Sequence, residues 1–318
     1  MQKKSKIYIA GHTGLVGSAI KRKLVEEGYT NLIYKTHKEL DLMNKKSVDI
    51  FFREEKPEYI FLAAAKVGGI LANSRYPAEF LYNNLVIQNN IIHLSYLHDV
   101  NKLLFLGSTC IYPKIAPQPL NEKYLLSGYL ESTNEPYAIA KIAGIKMCQS
   151  YNRQYNTNSI AAMPTNLYGP NDNFDLKTGH VLPAFIRKFS EAKKNNAKSV
   201  TIWGTGTPRR EFIHVDDMAD ACLFLMQNFN PTPEQNELGD IFLNIGCGED
   251  IELNDLAKII AKIIGYKGKI KHDLSKPDGT PRKLVDVSKL FSLGWKPKIS
   301  LNSGIKSTYK WYIYNYEK

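Results

Sequence analysis

A glycine-rich turn near the start of the chain constrains the fold more than any other feature. The stretch KIYIAGHTGLVGSAI places a short apolar run, Ile7 to Ala10, directly before Gly11, Gly14 and Gly17, and an amphipathic helical pattern follows. A strand that enters a helix through such a turn points backbone N–H groups and the positive end of the helix dipole at one spot, which suits a pyrophosphate. The spacing GxxGxxG therefore predicts a dinucleotide-binding turn, with an ordinary glycine loop as the alternative.

The composition is that of an ordinary globular protein. With 318 residues and 43% hydrophobic content, the chain can form one large or two medium domains around a packed core. No run of about 20 apolar residues is present, and the start MQKKSKIYIAG leads into a strand rather than into a signal-peptide apolar region. We therefore expect a soluble, cytoplasmic protein.

Cysteine usage and charge argue against several other classes. The cysteines lie far apart and form no CxxC pair, so we expect free thiols, with neither a disulfide framework nor a metal site; they are Cys110, Cys148, Cys222 and Cys247. The net charge of +11 is spread along the chain without a basic run interleaved with aromatics, so we expect no nucleic-acid partner. A polyanionic small ligand or a lysine-rich proteome explains the charge equally well.

Apolar runs alternate with helical patterns through the first third of the chain, which is typical of a parallel sheet. We expect an α/β fold with a Rossmann-type doubly wound parallel sheet and a smaller C-terminal α/β domain. Residues 1–164 plus about 213–246 would bind the dinucleotide, and about 165–212 plus 247–318 would bind the substrate. The predicted strands are Ile7–Ala10, Asn31–Tyr34, Tyr59–Leu62, Lys102–Leu106, Asn158–Met163 and Ile241–Ile245.

The helical patterns and the polar stretches complete this outline. We predict helices over Pro77–Leu97 and Glu252–Ile264, and a polar surface loop over Asn230–Asp240. The helix over Pro77–Leu97 is apolar on most faces and so needs burial on two sides. A second subunit and coverage within one chain are both open as the source of that burial.

The end of the second predicted strand favours NADP over NAD. An NAD enzyme would carry an acidic residue there for the ribose 2′-hydroxyl, and this chain has none before Glu39. Lys35, His37 and Lys38 are candidates for a 2′-phosphate, or they form a solvated basic turn. Other residues are placed near the adenine or the ribose by their position after a strand: Asp41, Leu42, Ala63, Ala64 and Ala65.

A tyrosine and a lysine four residues apart carry the predicted chemistry. Tyr137 and Lys141 fall on one helix face, so the ammonium can lie under the phenol and favour its ionised form. Tyr137 is then a credible acid. Ser108, at the carboxyl end of the fourth strand, is placed to hydrogen-bond the same substrate carbonyl. The YxxxK pattern alone occurs by chance in many helices, but the glycine turn and the serine make chance improbable.

Several longer motifs carry a family resemblance over nearly the whole chain. They are GHTGLVGSAI, LAAAKVGGI, GSTCIYPK, EPYAIAK, TNLYGPNDNF, HVLPAFIRKF, REFIHVDDMA and PDGTPRKLVD. With them the chain resembles the extended short-chain dehydrogenase/reductases, and among these the 3,5-epimerase/4-reductases that act on a GDP-4-keto-6-deoxy-hexose with NADPH to give GDP-L-fucose. Thr13 departs from the arginine expected in the first turn, which leaves more of the 2′-phosphate contact to Lys35 and His37.

The resemblance implies two further catalytic residues, Cys110 and His180. C3 and C5 of a 4-ketosugar are both α to the carbonyl, so a residue that removes a proton and another that returns it from the opposite face can invert either centre. A thiolate and an imidazole suit these tasks. The alternatives are that Cys110 is a small core residue and that His180 makes a structural hydrogen bond at a helix start.

The resemblance also implies two sets of binding residues. The cofactor set, besides the residues after the strands, is Gly11, Thr13, Gly14, Leu15, Val16, Gly17, Tyr137, Lys141, Pro164, Asn166, Leu167 and His180. The substrate set is Ser108, Thr109, Cys110, Asn166, Lys188, Trp203, Arg209, Asp278 and Lys283.

Two other functions remain open at this point. The first is a C4 reductase that acts on a related GDP-4-keto sugar such as a heptose, with epimerisation by a separate enzyme. The second is a non-enzymatic NADP-binding regulator with a basic contact surface, although such proteins usually lose the catalytic tyrosine or lysine. In the main hypothesis the chain is a homodimeric oxidoreductase.

Overall fold

The computed structural model describes residues 1–176, 178–276 and 278–317. The strands are β1 (Ile7–Ala10), β2 (Leu32–Ile33), β3 (Tyr59–Leu62), β4 (Lys102–Leu106), β5 (Ser159–Pro164), β6 (Asn166–Tyr168), β7 (Ser199–Trp203), β8 (Arg209–His214), β9 (Phe242–Ile245), β10 (Asp250–Glu252), β11 (Lys269–Asp273) and β12 (Arg282–Lys283). The α-helices are α1 (Leu15–Glu26), α2 (Lys45–Glu55), α3 (Ile70–Arg75), α4 (Pro77–Leu97), α5 (Glu135–Tyr155), α6 (Val181–Lys194), α7 (Val215–Asn228), α8 (Pro233–Leu238), α9 (Leu253–Ile264), α10 (Ser288–Ser292) and α11 (Leu301–Tyr316).

A parallel six-stranded sheet forms the first layer, in the order β2-β1-β3-β4-β5-β9. Every neighbouring pair in it is parallel. The central strands are buried on both faces, as parallel strands covered by helices are. The predicted α/β fold with a doubly wound parallel sheet is therefore confirmed.

Two apolar clusters cover this sheet, one on each face. On one face α2, α4 and α5 contribute residues such as Phe52, Ile91 and Ile145. On the other face α1 and α7 contribute residues such as Leu24 and Met218. The carboxyl ends of the parallel strands meet at one edge of this layer, where open α/β sheets bind their ligands.

A second layer follows from β6 onward. Strand β8 pairs with β10 in antiparallel and with β12 and β6 in parallel orientation, and β7 pairs with β11. A separate apolar cluster joins α6, α9 and α11 to these strands. Residues 284–295 return to the first layer, where Val285 joins one cluster and Trp295 the other.

Most predicted elements match the structure closely. Strands β1, β3 and β4 and helix α4 have the predicted bounds. The strand predicted over Asn31–Tyr34 has only two residues. The loop predicted over Asn230–Asp240 contains α8, because Thr232 and Gln235 form a capping box and Gly239 ends the helix in the left-handed region.

Helix α4 buries polar side chains as well as apolar ones. Asn84, Gln88 and Asn90 lie inside and donate to carbonyls of neighbouring segments. None of the helices among the described residues combines the length and the hydropathy that crossing a bilayer requires.

Candidate functional site

The first glycine turn forms a cradle of bare backbone. Gly11 has φ +86°, and a Cβ built there would lie 2.7 Å from the backbone nitrogen of Ala64. A Cβ on Gly17 would lie 2.1 Å from the carbonyl oxygen of Gly11. Gly14 begins α1 without a side-chain cap, and the first turn of α1 carries no acidic residue. The N–H groups of this helix start thus suit a dinucleotide diphosphate.

The residues predicted at the adenosine end lie in different environments. Lys35 is half-buried and Thr13 is exposed. His37 has a side chain 81% exposed, with Nδ1 3.7 Å from Oδ1 of Asp41. Leu42 is buried, and its carbonyl accepts a hydrogen bond from Asn90, so its side chain is turned into the core.

The remaining predicted cofactor residues line the sheet edge. Ala63, Ala64 and Ala65 follow β3 as half-buried residues. Pro164 ends β5, and Asn166 and Leu167 belong to β6, which starts beyond Thr165. The Asn166 amide donates to the carbonyl oxygen of Glu211 at 2.7 Å.

Ser108 and Cys110 lie directly beyond β4. A short 3₁₀ helix over Thr109–Ile111 follows Ser108, whose hydroxyl accepts from the backbone nitrogen of Cys110 at 3.4 Å. Thr109 and Cys110 are buried, at 8% and 7% exposure. The serine side chain thereby orients the segment that carries the thiol.

Tyr137 and Lys141 lie on the first turns of α5, beside that segment. The Lys141 ammonium is 5.7 Å from the centre of the Tyr137 ring and donates to the carbonyl oxygen of Leu106 at 2.7 Å. Leu106 is the last residue of β4, so Lys141 ties α5 to the strand end that leads to Ser108. Phe80 of α4 contacts the Tyr137 ring edge-on at 6.3 Å.

Burial dominates the acidity of these groups. It raises the pKa of the Tyr137 phenol and lowers the pKa of Lys141 to about 8. The expectation that Lys141 draws the pKa of Tyr137 downward is therefore wrong for this structure. Tyr137 is protonated at neutral pH, which is the state that a proton donor needs.

Lys283 joins Cys110 and His180 electrostatically. Burial raises the pKa of the Cys110 thiol, whereas the Ser108 hydroxyl and the charges of Lys283 and Lys141 oppose that rise. His180 precedes α6, and desolvation together with the Lys283 charge lowers its pKa. Cys110 and Lys283 line one cleft. At neutral pH the Cys110 thiol is therefore protonated. His180 itself is exposed, so its imidazole can exchange protons with water.

Most of the predicted substrate residues of the second layer are not among the residues that line that cleft. Trp203 is 49% exposed, with the ammonium groups of Lys188 and Lys276 at 5.5 and 5.8 Å from its ring centre. Lys188 also donates to the carbonyl oxygen of Thr201. An exposed aromatic face between two cations is a suitable surface for a nucleotide base near its phosphates.

Arg209 and Asp278 already have protein partners. Nε of Arg209 donates to Oδ1 of Asp250 at 2.7 Å, and Arg282 pairs with the same carboxylate. Asp278 accepts from the backbone and the hydroxyl of Thr205, at 3.0 and 2.7 Å. These contacts join β8, β10 and β12 beside the cleft, so Arg209 binds a second anion only alongside Asp250.

Two polar groups in or near the site were not predicted from the sequence. The ion pair of Lys114 and Glu131 (3.0 Å) lines the same cleft as Cys110. Glu211 is fully buried and accepts from the backbone nitrogens of Val285 and Gly248. An acidic residue inside the strand sequence REFIHV was the signal for Glu211, whereas no local pattern indicated the ion pair.

The comparisons with known proteins agree with this geometry. Residues 7–246 match the model of the NAD dependent epimerase/dehydratase family. The chain belongs to that family. It is 58% identical to a putative GDP-L-fucose synthase 2 of Arabidopsis thaliana, over 99% of this chain and 94% of the relative.

Two further relatives bear on the substrate and the cofactor. The GDP-L-fucose synthase of Escherichia coli K12 is 53% identical, over 99% of this chain and 98% of that protein. A GDP-D-glycero-L-gluco-heptose synthase from Campylobacter jejuni, solved in the presence of NADPH, is 44% identical with a TM-score of 0.88, over 99% of both chains. Within the family the chain thus groups with the GDP-L-fucose synthases.

Proposed function

We propose that this protein converts a GDP-4-keto-6-deoxy-hexose by epimerisation at C3 and C5 and reduction at C4, as GDP-L-fucose synthesis requires. The observation that carries the proposal is the grouping of Cys110 with Tyr137, Lys141 and Lys283 at the carboxyl end of β4. This cluster combines a phenol that can bind the substrate carbonyl with a thiol that can remove a proton from the neighbouring carbon. The cofactor is NADP(H), which the cradle at Gly11 and Gly17 fits.

Epimerisation uses Cys110 and His180 on the ketosugar. The C4 carbonyl acidifies the protons at C3 and C5, and Ser108 and Tyr137 stabilise the enolate by donating to its oxygen. Cys110 as thiolate removes a proton from carbon, and His180, which is exposed and takes up a proton from water, returns one from the opposite face. Since burial keeps the thiol protonated at rest, Lys283 is the cation that favours its ionisation.

Reduction uses the same oxygen site. NADPH, when bound, supplies a hydride to C4. Tyr137 then donates its proton to the oxygen that becomes a hydroxyl, and Lys141 holds the end of β4 in place beneath it. The phenol of Tyr137 is protonated beforehand, so the donation needs no prior proton uptake.

Residues of the second layer supply the remaining proposed substrate contacts. Trp203 and Lys188 present an aromatic face and an ammonium for the GDP portion, and Asp278 lies next to them through its contact with Thr205. Asn166 and Arg209 are proposed as further contacts. The proposed division places residues 1–164 and about 213–246 around the cofactor, and about 165–212 and 247–318 around the GDP-sugar. We also propose a cytoplasmic location, supported by the nucleotide substrates.

A C4 reductase without epimerase activity is the second candidate. It is supported by the similarity to the C. jejuni heptose synthase, which covers both chains almost completely. The retained Cys110 and His180 favour the bifunctional enzyme.

One incubation separates these candidates. The protein is mixed with NADPH and GDP-4-keto-6-deoxymannose in D₂O, the NADPH absorbance is followed, and the product is identified by NMR. We expect NADPH oxidation with deuterium at C3 and C5 of an inverted sugar. Oxidation without carbon-bound deuterium would support the reductase alone. Absence of oxidation would refute the bifunctional enzyme, and the same assay with a GDP-4-keto-heptose would then test the reductase.

The variant Cys110→Ser sharpens this test. It should abolish deuterium exchange while sparing reduction of an already epimerised ketosugar, since the serine hydroxyl is too weak a base. Cys247→Ser, at a half-exposed thiol away from the cleft, is the matched control and should keep both activities. Persistent exchange in Cys110→Ser would remove Cys110 from the mechanism.

We further propose that two copies associate through α4 and α5. Tyr82 and Leu97 of α4 are 62% and 52% exposed and share one helix stripe with half-buried Val86, and Ile139 of the neighbouring α5 is 43% exposed. The α4 and α5 helices of a second copy would cover this apolar face.

A further inference from the structure

The end of β2 carries an aromatic pair that no proposed role has used. Strand β2 is parallel to β1, with Tyr8 opposite Ile33, so Tyr34 emerges beside the first glycine turn. The rings of His12 and Tyr34 lie 4.8 Å apart at an interplanar angle of 33°. This pair therefore lies at the place where a dinucleotide-binding sheet receives the adenosine ribose.

Lys21 of α1 reaches the same place. Its ammonium lies 3.9 Å from the centre of the Tyr34 ring, within the range of a cation–π contact. Helical side chains lean toward the helix N-terminus, which for α1 is the end at the glycine turn. Tyr34 thus fixes the Lys21 ammonium near the turn.

The neighbouring cations of α1 are already neutralised, and Lys21 is not. Arg22 pairs with Asp216 at 2.5 Å, and Lys23 pairs with Glu27 at 2.8 Å and with Asp220. Among the residues that the structure describes, no carboxylate lies within 4 Å of the half-buried Lys21.

Two further observations indicate that an anion from outside the chain neutralises the Lys21 ammonium. The carboxylate of Glu39, the first acidic residue after β2, accepts from the backbone and hydroxyl of Thr36 at 2.7 and 2.6 Å. Nδ1 of His12 is buried and has no hydrogen-bond partner in the described part of the chain. The site thus holds an uncompensated cation and an unpartnered ring nitrogen.

We propose that Lys21, held over Tyr34, binds the 2′-phosphate of NADP(H) and sets the preference of this enzyme for NADP(H) over NAD(H). Lys35 follows Tyr34 directly in the sequence, is half-buried and adds a second cation. Lys21 takes the task that uncharged Thr13 leaves open in the turn. The assignment concerns cofactor choice and does not depend on which GDP-sugar is the substrate.

The test measures binding rather than turnover. Dissociation constants of NADPH, NADH, 2′,5′-ADP and 5′-ADP are determined by calorimetry for the wild type, Lys21→Ala and Lys23→Ala. Lys21→Ala should weaken NADPH and 2′,5′-ADP by roughly tenfold or more and change NADH and 5′-ADP by less than about twofold, because one charge-assisted contact is lost. Lys23→Ala removes the same charge from the same helix and should leave the NADPH-to-NADH ratio unchanged.

The proposal would be overturned if Lys21→Ala weakened the binding of NADPH and NADH equally. It would also be overturned if Lys23→Ala lowered the preference for NADPH over NADH as much as Lys21→Ala does. A second measurement needs no variant. NADP⁺ should protect Lys21 of the wild type from an amine-reactive reagent, and NAD⁺ at equal saturation should not, as read by mass spectrometry. Equal protection by both nucleotides would also overturn it. Neither readout involves a sugar, so failure of the proposed function leaves both results interpretable.

Discussion

Tyr137 is a half-buried side chain whose hydroxyl carries the proposed proton transfer. A free phenol is already protonated at neutral pH and desolvation raises the pKa of Tyr137 further, while Lys141 beneath it is committed to the carbonyl of Leu106. The hydroxyl therefore serves as donor to the C4 oxygen. The role depends on one oxygen atom rather than on the ring.

Tyr137→Phe removes that atom and keeps the packing against Phe80. We expect kcat for reduction to fall by roughly 10²- to 10⁴-fold, with the NADPH dissociation constant within about twofold of wild type. Steady-state kinetics and fluorescence titration measure the two quantities. Tyr129→Phe, at a side chain 96% exposed, is the control. A variant that kept most of its kcat would exclude Tyr137 as the proton donor.

Asp172 is a buried carboxyl in the loop before α6. It is 5% exposed, Oδ1 accepts from the backbone nitrogen of Asn173, and Oδ2 has no partner among the described residues. Burial raises its pKa to about 7. A folded-state pKa above the unfolded one stabilises the protein at low pH, and this contribution is lost as the pH rises through about 7.

Asp172→Asn keeps the acceptor for Asn173 and cannot ionise. The free energy of unfolding of the wild type should therefore fall relative to this variant by roughly 2 kcal/mol between about pH 5 and pH 8. Urea unfolding at both pH values measures this. Asp255→Asn, at an exposed side chain, should show no such trend. A constant difference between wild type and Asp172→Asn would contradict the assignment.

At the scale of elements, Glu211 joins segments that are far apart in sequence. From β8 its carboxylate accepts from Val285 at 2.9 Å and from Gly248 at 2.7 Å, while its carbonyl oxygen accepts from Asn166. Val285 lies two residues beyond Lys283. The carboxylate thus fixes the segment that carries the ammonium beside Cys110.

Glu211→Gln should loosen this segment, since the amide NH₂ must face one of two backbone donors. We expect a loss of about 1–3 kcal/mol in the free energy of unfolding and a higher KM for the GDP-sugar, with the NADPH affinity unchanged. Glu249→Gln, at an exposed residue of the same loop, is the matched control. Equal changes in NADPH affinity and in KM would indicate general unfolding instead of positioning.

Sequence patterns predicted the elements better than the contacts between them. The apolar runs of β1, β3 and β4 and the glycine turn before α1 are local features, so the sequence predicted their positions. The contact of Lys21 with the Tyr34 ring joins residues 13 positions apart, and the hydrogen bond from the Val285 backbone nitrogen to the Glu211 carboxylate joins residues 74 positions apart. Local periodicity contains no information about such pairs. The acidity of Tyr137 was misjudged because burial depends on the whole fold.

At the scale of the whole molecule, the face of α4 and α5 predicts a dimer. Val86→Glu places a charge on the proposed interface and should convert the dimer to a monomer, as light scattering after size-exclusion chromatography measures. Val25→Glu, at a residue of α1 that is 58% exposed, should leave the mass unchanged. A monomeric wild type at micromolar concentration would refute this interface.

The return of residues 284–295 to the first layer has a consequence for how the chain is made on the ribosome. Val285 and Trp295 complete the apolar clusters on both faces of the six-stranded sheet, although the strands themselves end at Ile245. A nascent chain that has just released its last sheet strand therefore still exposes apolar surface. Both faces of the six-stranded sheet therefore stay incompletely covered until residues 284–295 have emerged, and a partly folded chain with exposed apolar surface is prone to aggregation.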